Sequence, residues 1–437
     1  MSGFLCLRIA PPQPWAYDKS DFLTFLLSAL HVNKKKRSEL QVGKPLEKAS
    51  SYRPISLLPL LSKLFERCYL KRLLPLLNEG NLIPDHQFGF RIGHSTIEQV
   101  HRMTALVERT LEDKKVCSAA FLDVAQAFDK VWQIGLLYKI RVLLPENHYQ
   151  LLKSYLQGRK FRVRFNNSYS KICLIMAGIP QGSVLGPILY NIFTHDIPKP
   201  TEGFIGTFAD DTSLAEIDKN LNAANIKLQN SLDNVTEWVE DNGTSLNAQK
   251  SNHIIFTNKK ITPLPIFLNG EQVPLVSVTR SLGIYLDSRL TFKDHINIKI
   301  KELNIKYKKM YWLLNKKSKL SIKNKLLLYN QILRPVWLYG CQIWGCASIS
   351  NINKVESFQS KVLRTIIGAP WFVRNEDIRR ELEMPTVKQT IKDTVIKYEE
   401  RLYSHSNSEG IELLNTSIIQ RRLKRRRNIF DLPARFE

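Results

Sequence analysis

No stretch of about 18 uninterrupted apolar residues occurs in the 437-residue chain, so no segment would cross a bilayer as a helix. The opening MSGFLCLRIAPPQPW breaks its apolar residues with Arg8 and three prolines, and so lacks the clean run of a secretion signal. Cysteine is scarce as well. Cys6, Cys68, Cys117, Cys173, Cys341 and Cys346 show neither CxxC spacing nor a partnered CxxxxH pattern, which argues against a zinc site or disulfide framework and for a reduced intracellular compartment. Acids are outnumbered: 40 Asp and Glu against 64 Lys and Arg leave a net charge of +24, which favours nucleic acid, ahead of an anionic membrane, over a small neutral substrate. The basic stretches lack the strongly apolar partner face of a membrane-surface helix, which sets a lipid-binding role aside. What is plentiful is core material, since 43% of the residues are hydrophobic, and two or more compact lobes are expected.

Residues 1 to 43 show no clear periodicity, hold an apolar piece around Phe22 to Leu30, and run through the basic tract Lys34-Lys35-Lys36-Arg37. From Tyr52 the pattern sharpens. Ser62 is placed to cap a helix ending near Gly80, and Ser95-Thr96-Ile97-Glu98 has the form of a capping box. Beyond that box Ile97, Val100, Thr104, Val107 and Leu111 recur at steps of three and four, one face turned to a core. Val116 to Asp123 reads as a buried strand, and Phe161, Val163 and Phe165 alternate with Arg162 and Arg164 as a half-buried strand with a basic outer face. Asn166-Asn167-Ser168 would turn that strand back into Lys171 to Met176. A second hairpin spans Phe204 to Ile217 with Ala209-Asp210-Asp211 at its tip, and Leu221 to Val239 then traces a helix that Gly243 would stop. The irregular alternation favours an α+β sheet covered on one face.

Lys299 to Lys325 holds ten lysines against one acid, Glu302, on a helical pattern with Ile305, Met310, Leu313 and Leu314 as inner face. Taken alone such a cluster is ordinarily a solvated helix surface; in so basic a chain, phosphate contact is the stronger reading. A second helix from about Ile322 to Leu333 is expected to end before Pro335. The tail Arg421 to Arg427 fits a nuclear-targeting tract, a nucleic-acid arm or a frayed end alike.

The chemistry concentrates in three acids, Asp123 at a strand end and Asp210 with Asp211 at a hairpin tip. Each alone has an ordinary reading, because Asp side chains satisfy turn backbone. Together, neighbouring carboxylates lift one another's pKa unless cations neutralise them, and magnesium, with manganese as its substitute, suits all-oxygen donors. Gly178 to Ser183 is a small-residue loop entering the apolar helix Val184 to Phe193, and could let backbone approach a nucleotide closely.

Tyr52-Arg53-Pro54-Ile55-Ser56-Leu57, Gln87-Phe88-Gly89-Phe90-Arg91, Phe121-Leu122-Asp123 with Ala127-Phe128-Asp129, Gly178-Ile179-Pro180-Gln181-Gly182, Phe208-Ala209-Asp210-Asp211 and Leu282-Gly283-Ile284 stand in one order. That order resembles reverse transcriptases, with the closest match to jockey-like non-LTR retrotransposons, over about residues 44 to 292 and more loosely beyond. The resemblance implies a right-hand polymerase with an antiparallel palm sheet and a helical C-terminal thumb. Residues 1–43 would be an atypical, truncated start, 44–292 fingers and palm, 293–370 a basic thumb, and 371–437 a helical region with an arginine-rich tail.

It implies an RNA-directed DNA polymerase joining dNTPs to a primer 3′-hydroxyl on an RNA template, with two metal ions. Asp123 and Asp210 would hold both ions, with Asp211 and the Val124 carbonyl as further ligands. Phe128, five residues past Asp123, matches the aromatic that excludes a 2′-hydroxyl, against core packing as the plain alternative. Arg53 matches a fingers arginine for the triphosphate, a role suited to the guanidinium fork, and Gln181 a contact to the incoming sugar or base. Lys250 matches a lysine that protonates pyrophosphate, Arg91 a contact to template backbone, and Asp129 a brace of the palm. The basic thumb would grip the RNA–DNA hybrid, and residence would be nuclear. The chain has no room for the endonuclease such elements carry, and its first 43 residues depart from the family, so the rival reading is a transposon-derived nucleic-acid-binding protein that no longer polymerises.

Overall fold

The computed structural model describes residues 35–40, 52–165, 168–259, 264–415 and 429–431. In chain order these form strands β1 (Lys35–Leu40) and β2 (Tyr52–Leu57), helices α1 (Leu60–Glu79) and α2 (Thr96–Glu112), strand β3 (Val116–Leu122), and helices α3 (Gln133–Leu143) and α4 (Glu146–Leu156). Four two-residue strands follow, β4 (Lys160–Phe161), β5 (Arg164–Phe165), β6 (Ser168–Tyr169) and β7 (Cys173–Leu174), then α5 (Gly186–Phe193), β8 (Phe204–Phe208), β9 (Asp211–Asp218), α6 (Leu221–Asp241) and β10 (Asn252–Phe256). Next come β11 (Phe267–Leu268), β12 (Glu271–Gln272), β13 (Val278–Ser281), β14 (Ile284–Asp287) and the long α7 (Lys293–Leu314). The rest is helical: α8 (Ile322–Leu328), a π-helical turn (Tyr329–Leu333), α9 (Arg334–Leu338), α10 (Cys341–Trp344), α11 (Ile349–Ile367), α12 (Asn375–Glu381), α13 (Val387–Tyr403) and α14 (Ser408–Ile411).

Two compact units emerge, one from Met1–Gly80 with Gln133–Leu189, the other from Asn81–Trp132 with Tyr190–Glu437. In the first, β1 and β2 pair antiparallel with Glu39 opposite Arg53. Helix α1 starts after Pro59 without a side-chain cap, and Ser62 lies buried inside it; the expectation of a Ser62 cap fails because the helix begins two residues earlier, while Gly80 does end it. Buried Glu66, on α1, accepts the N–H groups of Val184 and Leu185 through Oε2 and the Tyr155 hydroxyl through Oε1. The expected long basic strand is broken, with β4 pairing with β7 and β5 with β6. The break sits at Val163, whose N–H donates to the Ser170 hydroxyl, and whose side chain is exposed rather than half-buried.

The second unit is built on a four-stranded antiparallel sheet in the order β10-β3-β9-β8. The capping box forms as the sequence spells it, Ser95 Oγ accepting the Glu98 N–H and Glu98 Oε2 accepting the Ser95 N–H. The Phe204–Ile217 hairpin also forms, with Phe208 opposite Asp211. The sheet, however, is covered on both faces. Because side chains alternate along a strand, Cys117, Ala119, Ala215, Ile254 and Phe256 turn to the α2 side, where one cluster runs on through α7 and the C-terminal helices. Ala120, Leu122, Ile205 and Leu214 turn the other way, onto Leu228, Leu232, Val235 and Val239 of α6. Each fully buried aliphatic side chain here contributes about 1.5–3 kcal/mol over an exposed one.

In α7 the buried residues are His295, Ile296, Leu303, Tyr307 and Leu314, with Met310 and Leu313 partly covered. Ile305 is exposed, against expectation, since the true stripe runs through Leu303 and Tyr307, two residues to either side of it, at steps of seven, four and seven. The helix after Ile322 does not stop before Pro335. A π-helical turn resets the register, so that Pro335 falls in the first turn of α9, where its missing N–H costs no helical bond. The tract Arg421 to Arg427, residues 1–34, and the Asn166-Asn167 turn lie outside the described residues. Among the described residues no helix is long and apolar enough to cross a membrane.

Candidate active site

Strands β3 and β9 pair as far as Leu122 opposite Thr212, so Asp123 and Asp211 each stand one residue beyond the last pair on neighbouring strands, close enough for the Asp123 charge to act on Asp211. Asp210 precedes Asp211 in the tight turn from β8, completing a group of three carboxylates on adjacent strand ends. Partial burial, and after it the charges of Asp210 and Asp123, raise the Asp211 pKa from 3.8 to about 6, while Arg280 on β13 pulls it back down. The Tyr190 hydroxyl, buried on α5, is raised first by desolvation and then by Asp210 and Asp211. Carboxylates this crowded are the kind of donor set a hard divalent cation favours. Among the described residues no three His, Cys, Asp or Glu side chains are grouped closely enough to hold a metal ion by themselves.

The segment 245–251 borders this group. The Ala125 N–H donates to Ser245 O, Val124 bridges Leu246, the Asn247 N–H donates to Asp123 O, and the Asp123 N–H donates to Ser251 Oγ. This lacing sets Lys250 Nζ 3.7 Å from Asp123 Oδ2, an exposed cation partnering the carboxylate.

The turn beneath Asp210 is held from below by the Gln87-Phe88-Gly89-Phe90-Arg91 segment. Ala209 takes φ 59°, a left-handed conformation that costs any residue with a Cβ. Its N–H donates to Gln87 Oε1 at 3.0 Å, and the same oxygen accepts the Gly89 N–H at 2.7 Å. Gly89 has no alternative, because a Cβ there would sit 2.1 Å from Ala209 N. Arg91, expected on the template, turns its half-buried guanidinium to Pro84 O and Gln87 O, with Asp85 4.0 Å away, and so braces this loop. From the far end of the chain Asn407 Nδ2 donates to Asp85 O, and the His405 ring meets His94 edge-on at 4.7 Å.

Phe128 lies half-buried, stacked on Tyr190 at 4.6 Å and edge-to-face with Phe90 at 6.0 Å. The β13–β14 hairpin turns at Leu282-Gly283, both at positive φ, and Tyr339 pins it by donating its hydroxyl to Leu282 O at 2.6 Å. Arg53 and Gln181 belong to the first unit, where the Ser56 N–H donates to Gln181 O and so brings β2 beside Gln181. Asp123, Val124, Phe128, Asp210, Asp211, Lys250 and Arg91 belong to the second. Sequence reasoning missed Gln87 and Tyr190 as supports of the carboxylates. Their signals were position alone, one inside a quoted motif and the other on the helix entered from Pro180-Gln181-Gly182.

Residues 33–307 match the family described as reverse transcriptase (RNA-dependent DNA polymerase). The chain is 43% identical over 389 residues to the "Probable RNA-directed DNA polymerase from transposon X-element" of Drosophila melanogaster, covering 88% of this chain and 43% of that protein. It is 39% identical over 409 residues to the RNA-directed DNA polymerase from mobile element jockey of the same organism, covering 90% and 44%. The chain thus spans less than half the length of these relatives. Among solved structures, telomerase of Candida tropicalis with a fragment of telomeric RNA gives a TM-score of 0.41 at 13% identity, covering 89% of this chain and 65% of that one.

Proposed function

Because the chain belongs to the reverse transcriptase (RNA-dependent DNA polymerase) family, we propose that it is the polymerase part of a non-LTR retrotransposon protein, extending a DNA primer along an RNA template from dNTPs. The observation that carries the reading is Asp123 and Asp211 on neighbouring strands with Asp210 beside them, three crowded carboxylates at the edge of a buried antiparallel sheet. Asp123 and Asp210, with Asp211 and the Val124 carbonyl, would hold two magnesium ions, manganese substituting. Bound there, the ions supply activation of the primer 3′-hydroxyl and stabilisation of the leaving pyrophosphate. Lys250 protonates the pyrophosphate as it departs, a role its place beside Asp123 supports.

Phe128 lies against the incoming sugar and rejects a 2′-hydroxyl, its orientation fixed by Tyr190 and Phe90. Arg53 takes the triphosphate and Gln181 the sugar or base. The exposed lysines of α7 and the turn after it hold the RNA–DNA hybrid through its phosphates, Arg91 acts on the template side by holding its loop, and the protein works in the nucleus.

Primer extension on poly(rA)/oligo(dT) with magnesium and dTTP tests this reading, with Asp210→Asn run beside the wild type. Extension by the wild type, reduced at least about 1000-fold in Asp210→Asn with hybrid binding retained, is expected. Extension by neither, with hybrid still bound, would instead support a nucleic-acid-binding protein that no longer polymerises.

A further inference from the structure

Two large aromatic rings stand in water where the chain could have hidden them. Trp371 is 90% and Phe372 68% exposed, adjacent in the loop between α11 and α12, with rings edge-to-face at 6.1 Å. The loop that shows them is braced. Arg364 donates Nε to Asn375 Oδ1 and Nη1 to Pro370 O, both at 2.9 Å, and Nη2 to Val373 O. Gly368 ends α11 in the left-handed conformation at φ 66°, with the Lys316 stem packed against it. Exposed apolar rings held on a fixed loop mark a binding surface more than a frayed tip.

The two rings wall an open groove of about 800 Å³, whose other walls carry Asn353, Ser357, Arg374 and Arg379 together with the carboxylates of Glu356 and Glu376. Arg379 Nη2 is held by Glu356 and Ser360, while its Nε is buried with no hydrogen-bond partner among the described residues. Beside the loop, Lys316, Lys317 and Lys319 are exposed. Arg379 offsets Glu356 and Arg374 stands with Glu376, so the groove offers flat apolar faces and amide and hydroxyl groups, and the surplus of positive charge comes from the Lys316–Lys319 turn beside it.

We propose that this groove binds unpaired nucleotides of a single strand. Trp371 and Phe372 stack on bases, the exposed Asn353 and Ser357 meet base or sugar edges, and Arg374 with the Lys316–Lys319 turn takes the phosphates. A duplex keeps its base faces stacked inside and cannot use the rings. An apolar protein segment would use the rings but leave the polar walls and the lysine turn unmatched. This assignment concerns a surface apart from the carboxylates and does not depend on polymerisation.

The test is fluorescence anisotropy with the full chain and no dNTP, using a labelled oligo(dT) of about 12 nucleotides and an RNA–DNA hybrid of equal length. The double variant Trp371→Ala with Phe372→Ala removes only exposed rings, and its melting temperature checks that the fold is kept. It is expected to lose about 10- to 100-fold in single-strand affinity, with hybrid affinity changed less than about twofold. The salt slope should not change, because the phosphate contacts remain, and Trp371→Phe should restore most of the affinity. Unchanged single-strand affinity in the double variant would overturn the proposal and leave the rings to a protein partner. Equal losses on both probes would overturn it as well.

Discussion

Asp211 keeps its proton up to about pH 6, although its tip reaches solvent, because partial burial and the charges of Asp210 and Asp123 oppose its ionisation and Arg280 offsets them only in part. The folded state thus binds this proton more tightly than the unfolded chain, where the carboxyl titrates near its ordinary 3.8. The stability it confers is present in full below the ordinary carboxylate range and is lost as pH climbs through about 6. Asp211→Asn should therefore raise the melting temperature of metal-free protein at pH 7 and do little at pH 4, and magnesium should raise that of the wild type at pH 7. Melting curves of both proteins at the two pH values decide it; an equal difference at both would remove the electrostatic explanation. The same few residues account for the left-handed Ala209 and the bare Gly89, since the turn is strained where the carboxylates must stand and a buried glutamine holds it there.

At the scale of elements, α2 shows how local sequence and distant packing share one residue. Glu98 is fully buried, accepts the Ser95 N–H at 2.6 Å as the box requires, and accepts Arg401 Nη2 at 2.6 Å from α13. Glu98→Ala removes the cap and leaves Arg401 facing His405 without the carboxylate between them. Because Arg401 is half exposed, the loss is set at about 2 kcal/mol rather than the 3–5 of a wholly buried pair. Urea unfolding of the two proteins measures it, and a change under about 0.5 kcal/mol would reduce the contact to surface ornament.

The capping box, the buried strand Val116 to Leu122 and the Asp-bearing hairpin were legible because each is written in fewer than about ten consecutive residues. The carboxylates were legible for the same reason, together with the order of the motifs around them. The second covered face of the sheet was not, because Ala and Ser in β3 fit a one-sided strand as well as a sheet packed tightly from both sides. Nor were Glu66, Gln87 and the Arg401 contact, which satisfy backbone or charge more than 100 residues away in sequence. The π-helical turn before Pro335 was hidden because a proline ordinarily ends a helix unless the register is reset.

Over the whole molecule, the charge of +24 is unevenly deployed. Lys325 is buried with Nζ donating to Asn315 O, and Lys299 and Lys306 pair with Glu302, so they contribute little to an outward field. Lys301, Lys308, Lys309, Lys316, Lys317 and Lys319 remain exposed. Lys308→Gln with Lys309→Gln should weaken hybrid binding and flatten the plot of log affinity against log salt by about one unit for each phosphate left without its lysine. Binding titrations at several salt concentrations measure it, and an unaltered slope would return these lysines to the solvated surface. The hydrogen bond from Asn407 to Asp85, 322 positions apart, bears on how the protein is made. Asp85 opens the loop whose Gln87 carries Ala209, so one support under the carboxylate-bearing turn arrives only when residue 407 has left the ribosome. Until residue 407 has emerged, a chain still in synthesis holds its carboxylates without that footing.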